Sequence, residues 1–235
     1  MEQEHNYTIQ NFDQEVLREY DIRGVVGENI NENTAYTIGR TFGHTVKSKL
    51  VSHKIVTGYD GRLTSPSLHK ALCKGLKDSG VKVINIGMGP TPMTYFAHYH
   101  FDADAAVMLT GSHNPSEYNG FKMVFNKHSF FAKDIQSLQK LLDNNELVLA
   151  DGQIIEKDIT KEYIERDLLN ISLNRKLKVA WDPGNGAMGK VTRKITELLI
   201  NSENIIINEE VDGNFPNHHP DPTVPKNMIQ LIQTV

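Results

Sequence analysis

The sequence predicts an α/β fold built on a largely parallel sheet. One observation carries that prediction, and a second excludes a membrane-spanning helix. Short apolar strands alternate with amphipathic segments of helical length, the grammar of βαβ units. No apolar run approaches the roughly 18–20 residues needed to span a bilayer.

Each element follows from its own pattern. Ala35, Ile38, Phe42, Val46 and Leu50 recur at three- and four-residue steps, the apolar stripe of a first helix. Residues 54–60 form a short strand ending in a polar turn. Thr64-Ser65-Pro66 starts a helix, with a hydroxyl cap followed by proline where no amide is needed. Leu68, Leu72 and Leu76 carry that helix to Ser79-Gly80. A strand over 81–86 closes at Gly87-Met88-Gly89-Pro90, a helix follows at Thr91–His100, and Ala105–Leu109 is a buried strand. Residues 120–125 form another strand, and Ile135, Leu138, Leu141 and Leu142 mark a further helix. The polar stretch 144–157 separates a second block, so the expected division is 1–152 and 153–235. In that block a helix over 161–169 precedes a strand at Leu177–Trp181, a helix over 187–200 and a strand over 205–207. A proline-rich loop over 215–225 leads into one more helix.

Composition bounds the partners. Against 25 Lys+Arg stand 29 Asp+Glu, a net charge of −4, which argues against a surface built for nucleic acid or anionic lipid. The polar, acidic N-terminus has no secretory pattern. The single cysteine, Cys73, has no internal partner and suits a reducing cytosol, so a cytoplasmic location is expected.

The densest polar cluster is Thr110-Gly111-Ser112-His113-Asn114-Pro115, at the carboxyl end of the strand Ala105–Leu109. Ligands of open α/β sheets bind at such ends. Gly111 permits a tight turn, Asn114-Pro115 fixes the exit, and Ser112 at the tip is a candidate nucleophile. A plain turn uses the same residue types. An acyl-hydrolase elbow does not fit, because it needs glycines where Thr110 and Asn114 stand. Lys122, in Asn119-Gly120-Phe121-Lys122, points away from Phe121 and Met123; it is either a solvated edge charge or a phosphate-holding proton carrier. Arg18-Glu19-Tyr20-Asp21-Ile22-Arg23-Gly24 and Asp60-Gly61-Arg62 each place arginine where its forked donors could take phosphate, the second beside a helix N-terminus. Gly184-Asn185-Gly186-Ala187-Met188-Gly189 matches a dinucleotide fingerprint, yet Asp182-Pro183 lengthens a turn that should be tight. His218, His219, Asp212 and Asp221 lie in a proline-fixed loop and lack the spacing of a metal site. Cys73, on the Leu68/Leu72/Leu76 stripe, is expected to be a buried, inert thiol.

In this order the clusters resemble the α-D-phosphohexomutase superfamily, the phosphomannomutases and phosphoglucomutases of the bacterial bifunctional type. The resemblance runs from Arg18–Gly24 through Asp60–Pro66, Thr110–Val124 and Asp182–Gly189 to Val211–Pro222. It implies three-layer α/β/α domains with mixed, mostly parallel sheets. It further implies a phosphoserine at Ser112, which gives its phosphoryl group to a mannose or glucose phosphate. The resulting 1,6-bisphosphate turns over and returns its other phosphate to the serine. Lys122 then matches the proton-transfer lysine, Arg23 and Tyr20 match substrate contacts, and His113 and Asn114 flank the phosphoserine; Arg62 is expected to face substrate phosphate. Mg²⁺ is expected on the oxygens of phosphorylated Ser112. The sequence departs from the family in having no closely spaced Asp-x-Asp-x-Asp, where family members carry a metal loop late in their second of four domains. On that pattern the second domain is incomplete, and the isolated chain is expected to lack mutase turnover.

Overall fold

A computed structural model describes residues 6–235. A seven-stranded sheet organises the first block: β1 (Ile22–Val25), β2 (Lys54–Tyr59), β3 (Lys82–Met88), β4 (Ala105–Leu109), β5 (Tyr118–Phe125), β6 (His128–Phe130) and β7 (Gln153–Glu156). The strands run in the order β1-β5-β4-β2-β3-β7, with β6 paired to β5. β2 pairs in parallel with β3 and β4, and β3 pairs in parallel with β7. The remaining pairings are antiparallel. The switch has a simple cause. A parallel return needs a crossover of a dozen or more residues, and only eight separate β4 from β5. The chain must therefore reverse there, and Ser112 lies on the reversal.

Alternating residues of the central strands bury both faces. Ile55, Val83, Val107, Phe121 and Met123 face a core closed by α1 (Glu32–Lys49), α2 (Ser65–Lys77) and α4 (Lys133–Asp143). Val56, Ile84, Ile86 and Ala106 face a second core. That one is closed by α3 (Thr91–His100), α5 (Thr160–Leu168) and α6 (Gly189–Leu198), through Met93, Tyr163, Ile164, Val191 and Ile195. The three layers expected from the resemblance are present. The start of α1 escaped sequence reading: Asn31 caps it by accepting the Thr34 N–H at 2.9 Å, while the Asn31 N–H donates to Thr34 Oγ1 at 3.2 Å.

The stretch 144–157 corrects the sequence reading. It contains β7, which pairs with β3 from Lys82↔Gln153 to Asn85↔Glu156. The first sheet thus continues past the expected boundary at 152, because the outer edge of β3 offers an unpaired ladder. Beyond α5, the second block has β8 (Leu177–Trp181) and β9 (Ser202–Ile206), parallel and joined by α6. A 3-10 turn, Pro225–Met228, runs into α7 (Ile229–Thr234). Among the described residues no helix is long and apolar enough to cross a membrane.

Candidate functional site

The site begins where two parallel strands end together. β2 and β4 are paired up to Tyr59↔Leu109, and the Asp60 N–H then donates to the Leu109 carbonyl at 3.0 Å. This sets Asp60 beside Thr110 across 50 residues of sequence. Asp60 Oδ2 accepts from Thr110 Oγ1 at 2.7 Å, from the Gly111 N–H at 3.3 Å and from Arg62 Nε at 3.1 Å. Asp60 Oδ1 accepts from Ser65 Oγ at 2.6 Å and from the Arg62 N–H at 3.1 Å. Thr110 Oγ1 in turn accepts the Ser112 N–H at 2.9 Å.

Arg62 corrects its expected role. Its residue is 1% exposed, so it offers no fork to a ligand. Nη1 donates to the carbonyls of Pro115 and Tyr118, at 2.5 and 3.0 Å. Nη2 donates to those of Ser112 and Asn114, at 3.0 and 2.7 Å. With Nε on Asp60, every donor direction of the guanidinium is taken. Burial pulls its pKa down, and Asp60 works against that shift. Arg62 therefore clamps the serine loop from beneath rather than facing substrate phosphate.

That clamp explains the glycine and the serine. Ser112, not Gly111, adopts the left-handed conformation, at φ +55°. A non-glycine residue there costs about 1–2 kcal/mol and persists only when its surroundings over-determine it. Here both peptide groups of Ser112 are held, its N–H by Thr110 and its carbonyl by Arg62. Gly111 is required for space: a Cβ would sit 2.4 Å from Arg62 Cζ and 2.7 Å from the Tyr118 carbonyl. Asn114 closes the turn, its N–H and Nδ2 both donating to the Gly111 carbonyl at 3.0 and 2.8 Å. Ser112 and His113 are exposed above the loop.

Thr64 is not the expected hydroxyl cap of α2, since its backbone is already helical and its side chain makes no cap bond. Instead buried Asn119 donates Nδ2 to Thr64 Oγ1 and to Ser65 Oγ, both at 3.0 Å. The helix start is thereby tied to β5, a role for Asn119 that nothing in the sequence signalled.

The cationic group lies one strand away. β1 pairs with β5 through Ile22↔Phe121 and Arg23↔Gly120, and the Gly120 carbonyl accepts the Thr110 N–H at 2.9 Å. Lys122 Nζ donates to Asp21 Oδ2 at 3.1 Å, and Arg23 Nε stands 3.5 Å from Asp21 Oδ1. Asp21 is 4% exposed, whereas its two partners remain partly open to solvent. Sequence reading missed Asp21, because its partner Lys122 lies 101 residues away and only the antiparallel pairing joins them. Tyr20, beside it, is 73% exposed.

The second block contributes a cleft of about 1020 Å³ between the Asp60–Leu63 loop and residues including Asn185, Lys190, Glu209 and Asp212. Its glycine-rich turn is filled by its own chain. Buried Asn185 donates Nδ2 to the Glu210 carbonyl at 2.8 Å and accepts from Asn217 Nδ2 at 2.9 Å. Glu209, at the ribose-acid position, is ion-paired with Arg193. Cys73 is buried as expected, and burial pushes its thiol up to about 12. Among the described residues no three His, Cys, Asp or Glu side chains cluster to hold a metal ion.

His218 is a structural lock. Nδ1 donates to the His219 carbonyl at 3.0 Å, and Nε2 meets Asp182 Oδ2 at 2.9 Å. Burial lowers its pKa, but the carbonyl and the carboxylate outweigh that and raise it above the ordinary value. The folded form then binds the proton more tightly than the unfolded chain. This stabilisation is full below about pH 6.5 and lost as pH rises through the elevated folded value. The denaturant midpoint of the wild type is expected to fall across that window, and Asp182→Asn to flatten the fall. A pH profile as steep in Asp182→Asn as in the wild type would disprove the lock.

Comparison with known proteins gives the family of the chain. The family model described as phosphoglucomutase/phosphomannomutase, α/β/α domain I, matches residues 14–148, and that for domain II matches residues 161–235. A phosphomannomutase/phosphoglucomutase of Pseudomonas putida is 44% identical over 94% of the chain and 47% of its own length. A phosphoglucomutase of Neisseria gonorrhoeae is 41% identical over 93% and 47%. A crystal structure of a phosphoglucomutase/phosphomannomutase family protein from Burkholderia thailandensis superposes with a TM-score of 0.88 at 37% identity, covering 95% of this chain and 50% of the other. The chain thus spans about half the length of the relatives it matches.

Proposed function

The chain belongs to the phosphoglucomutase/phosphomannomutase family, and on that premise we propose that Ser112 is its phosphoryl carrier in the interconversion of hexose 1- and 6-phosphates. The observation that carries the reading is the clamp on Ser112. A solvent-facing hydroxyl is held at φ +55° by the Asp60–Arg62 pair, next to the strand that bears Lys122.

Phosphoryl transfer demands positioning and charge neutralisation more than elaborate covalent chemistry. As a sugar hydroxyl attacks phosphoserine, the new O–P bond forms and the Ser112 Oγ–P bond breaks. The hydroxyl proton must leave and the serine oxygen must regain one. Lys122 is assigned that proton, and Arg23 with Tyr20 the holding of the substrate. Reversal on the other phosphate of the 1,6-bisphosphate completes the exchange. His113 and Asn114 flank the phosphoserine, Asn114 by closing its turn. Mg²⁺ is the counter-ion proposed for the phosphorylated serine, but both oxygens of nearby Asp60 are already hydrogen-bonded. No protein ligand for it is assigned among the described residues, and no step is routed through it. The phosphosugar substrates, with a buried thiol and no disulfide, fit a cytoplasmic setting. We place the domain boundary after Glu156, where β7 ends.

Incubation with glucose 1,6-bisphosphate is expected to add one phosphoryl group, mapped by peptide mass spectrometry to Ser112, and none to Ser112→Ala. An unmodified wild type, or equal modification of the alanine variant, would overturn the assignment.

A further inference from the structure

We propose that Arg62 is a positioning residue through which the Asp212–Phe215 turn of the second block controls the conformation of Ser112. The inference rests on the carrier role of Ser112 for its functional meaning, but its geometry stands apart from that role.

All five donors of a guanidinium lie in its plane, and here all point at oxygen atoms of the first block. What remains is the flat face. Phe215, from the second block, reaches the same cation: Arg62 Cζ lies over its ring, 5.2 Å from the centroid. A cation over an aromatic face gains most where water is excluded, and Arg62 is buried. Phe215 itself is held at φ +51°, a conformation bulky residues avoid. A tight turn imposes it: the Phe215 N–H donates to the Asp212 carbonyl at 3.0 Å, and the Asn214 N–H and Nδ2 both donate to Asp212 Oδ1 at 2.9 Å.

The turn is fixed at both ends. On its own block, the Asp212 N–H donates to the Asn185 carbonyl at 3.0 Å. Against the other block it lies backbone on backbone. A Cβ on Gly213 would be 2.6 Å from the Leu63 nitrogen and 2.9 Å from Arg62 Cα, and one on Gly61 would be 2.4 Å from Val211 Cγ1. Movement of the second block therefore lifts Phe215 off the guanidinium and admits water to it. The four carbonyls that hold the left-handed serine then compete with water for the same donors, and Ser112 relaxes. Block orientation is thus converted into readiness of the nucleophile.

Amide exchange read by NMR tests this directly, because the Ser112 N–H is protected by Thr110 Oγ1. Phe215→Ala is expected to speed exchange at Ser112 about 5–30-fold while leaving β4 and α1 amides unchanged, and Phe215→Tyr to restore it. Arg62→Lys keeps the charge but loses the planar fork and face, so it should speed Ser112 exchange by itself. In that background Phe215→Ala should add nothing if it acts through Arg62. Phosphoryl uptake by Ser112 should slow in Phe215→Ala with the KM for bisphosphate unchanged. Unchanged Ser112 exchange in Phe215→Ala, acceleration shared by all of β4, or additive effects in the double variant would each overturn the coupling. Failure of Ser112 to take phosphate in the wild type would instead remove the carrier role and leave the exchange result standing.

Discussion

Arg62→Ala is expected to lower folding stability by about 3–5 kcal/mol, the range for breaking a buried ion pair from one side. The loss has two sources. Asp60, with a side chain only 15% exposed, keeps its charge without its cation. The carbonyls of Ser112, Asn114, Pro115 and Tyr118 lose their donor together, and each buried group left unpaired adds its own desolvation cost. Arg62→Lys should lose less, because an ammonium retains the charge and up to three donors. The Arg193–Glu209 pair provides the contrast. Its arginine side chain is 54% exposed, so Arg193→Ala should leave the urea midpoint within error of the wild type. A midpoint for Arg62→Ala as unchanged as that of Arg193→Ala would show that the clamp carries no energy.

The same arginine shows where sequence reading succeeds and where it stops. The βα grammar, the stripe on α1 and the all-buried β4 are local patterns, readable at a period of about 3.6 or as a short apolar run. Asp60-Gly61-Arg62 is also local, and it announces an arginine at the carboxyl end of a strand. Whether the fork points out to a ligand or inward to the chain is decided by what lies opposite. That is the loop after β4, brought there by the parallel pairing of β2 with β4. Asp21 is invisible for the same reason, since its meaning depends on β1 lying against β5. β7 was missed because Gln153-Ile154-Ile155-Glu156 is too short to show a period, and only the open edge of β3 makes it a strand. The Thr110–Pro115 loop was legible as a turn with an exposed serine. Its strain was not, because nothing in the residue types says that Ser112 rather than Gly111 takes the positive φ.

Lys122 permits a sharper test of the chemistry than removal of Ser112, because charge and proton transfer can be separated at this position. Lys122→Arg keeps a cation facing Asp21, which is buried and, among the described residues, has only Arg23 as its other ion partner. Guanidinium, however, does not deprotonate in proteins, so it holds phosphate without moving a proton. General acid–base assistance contributes typically 10²–10⁴-fold, and phosphoryl uptake by Ser112 from glucose 1,6-bisphosphate is expected to slow by about that factor in Lys122→Arg, with KM little changed. Lys122→Met should slow it as much and raise KM as well, having lost the charge. It should also loosen the β1–β5 pairing, because the Asp21 carboxylate loses one of its two cations among the described residues and keeps Arg23 at 3.5 Å. A thermal melt of each variant separates that loosening from the chemical effect. If Lys122→Arg takes up phosphate at the wild-type rate, Lys122 acts as a fixed charge beside Asp21, and the proton must move by another group.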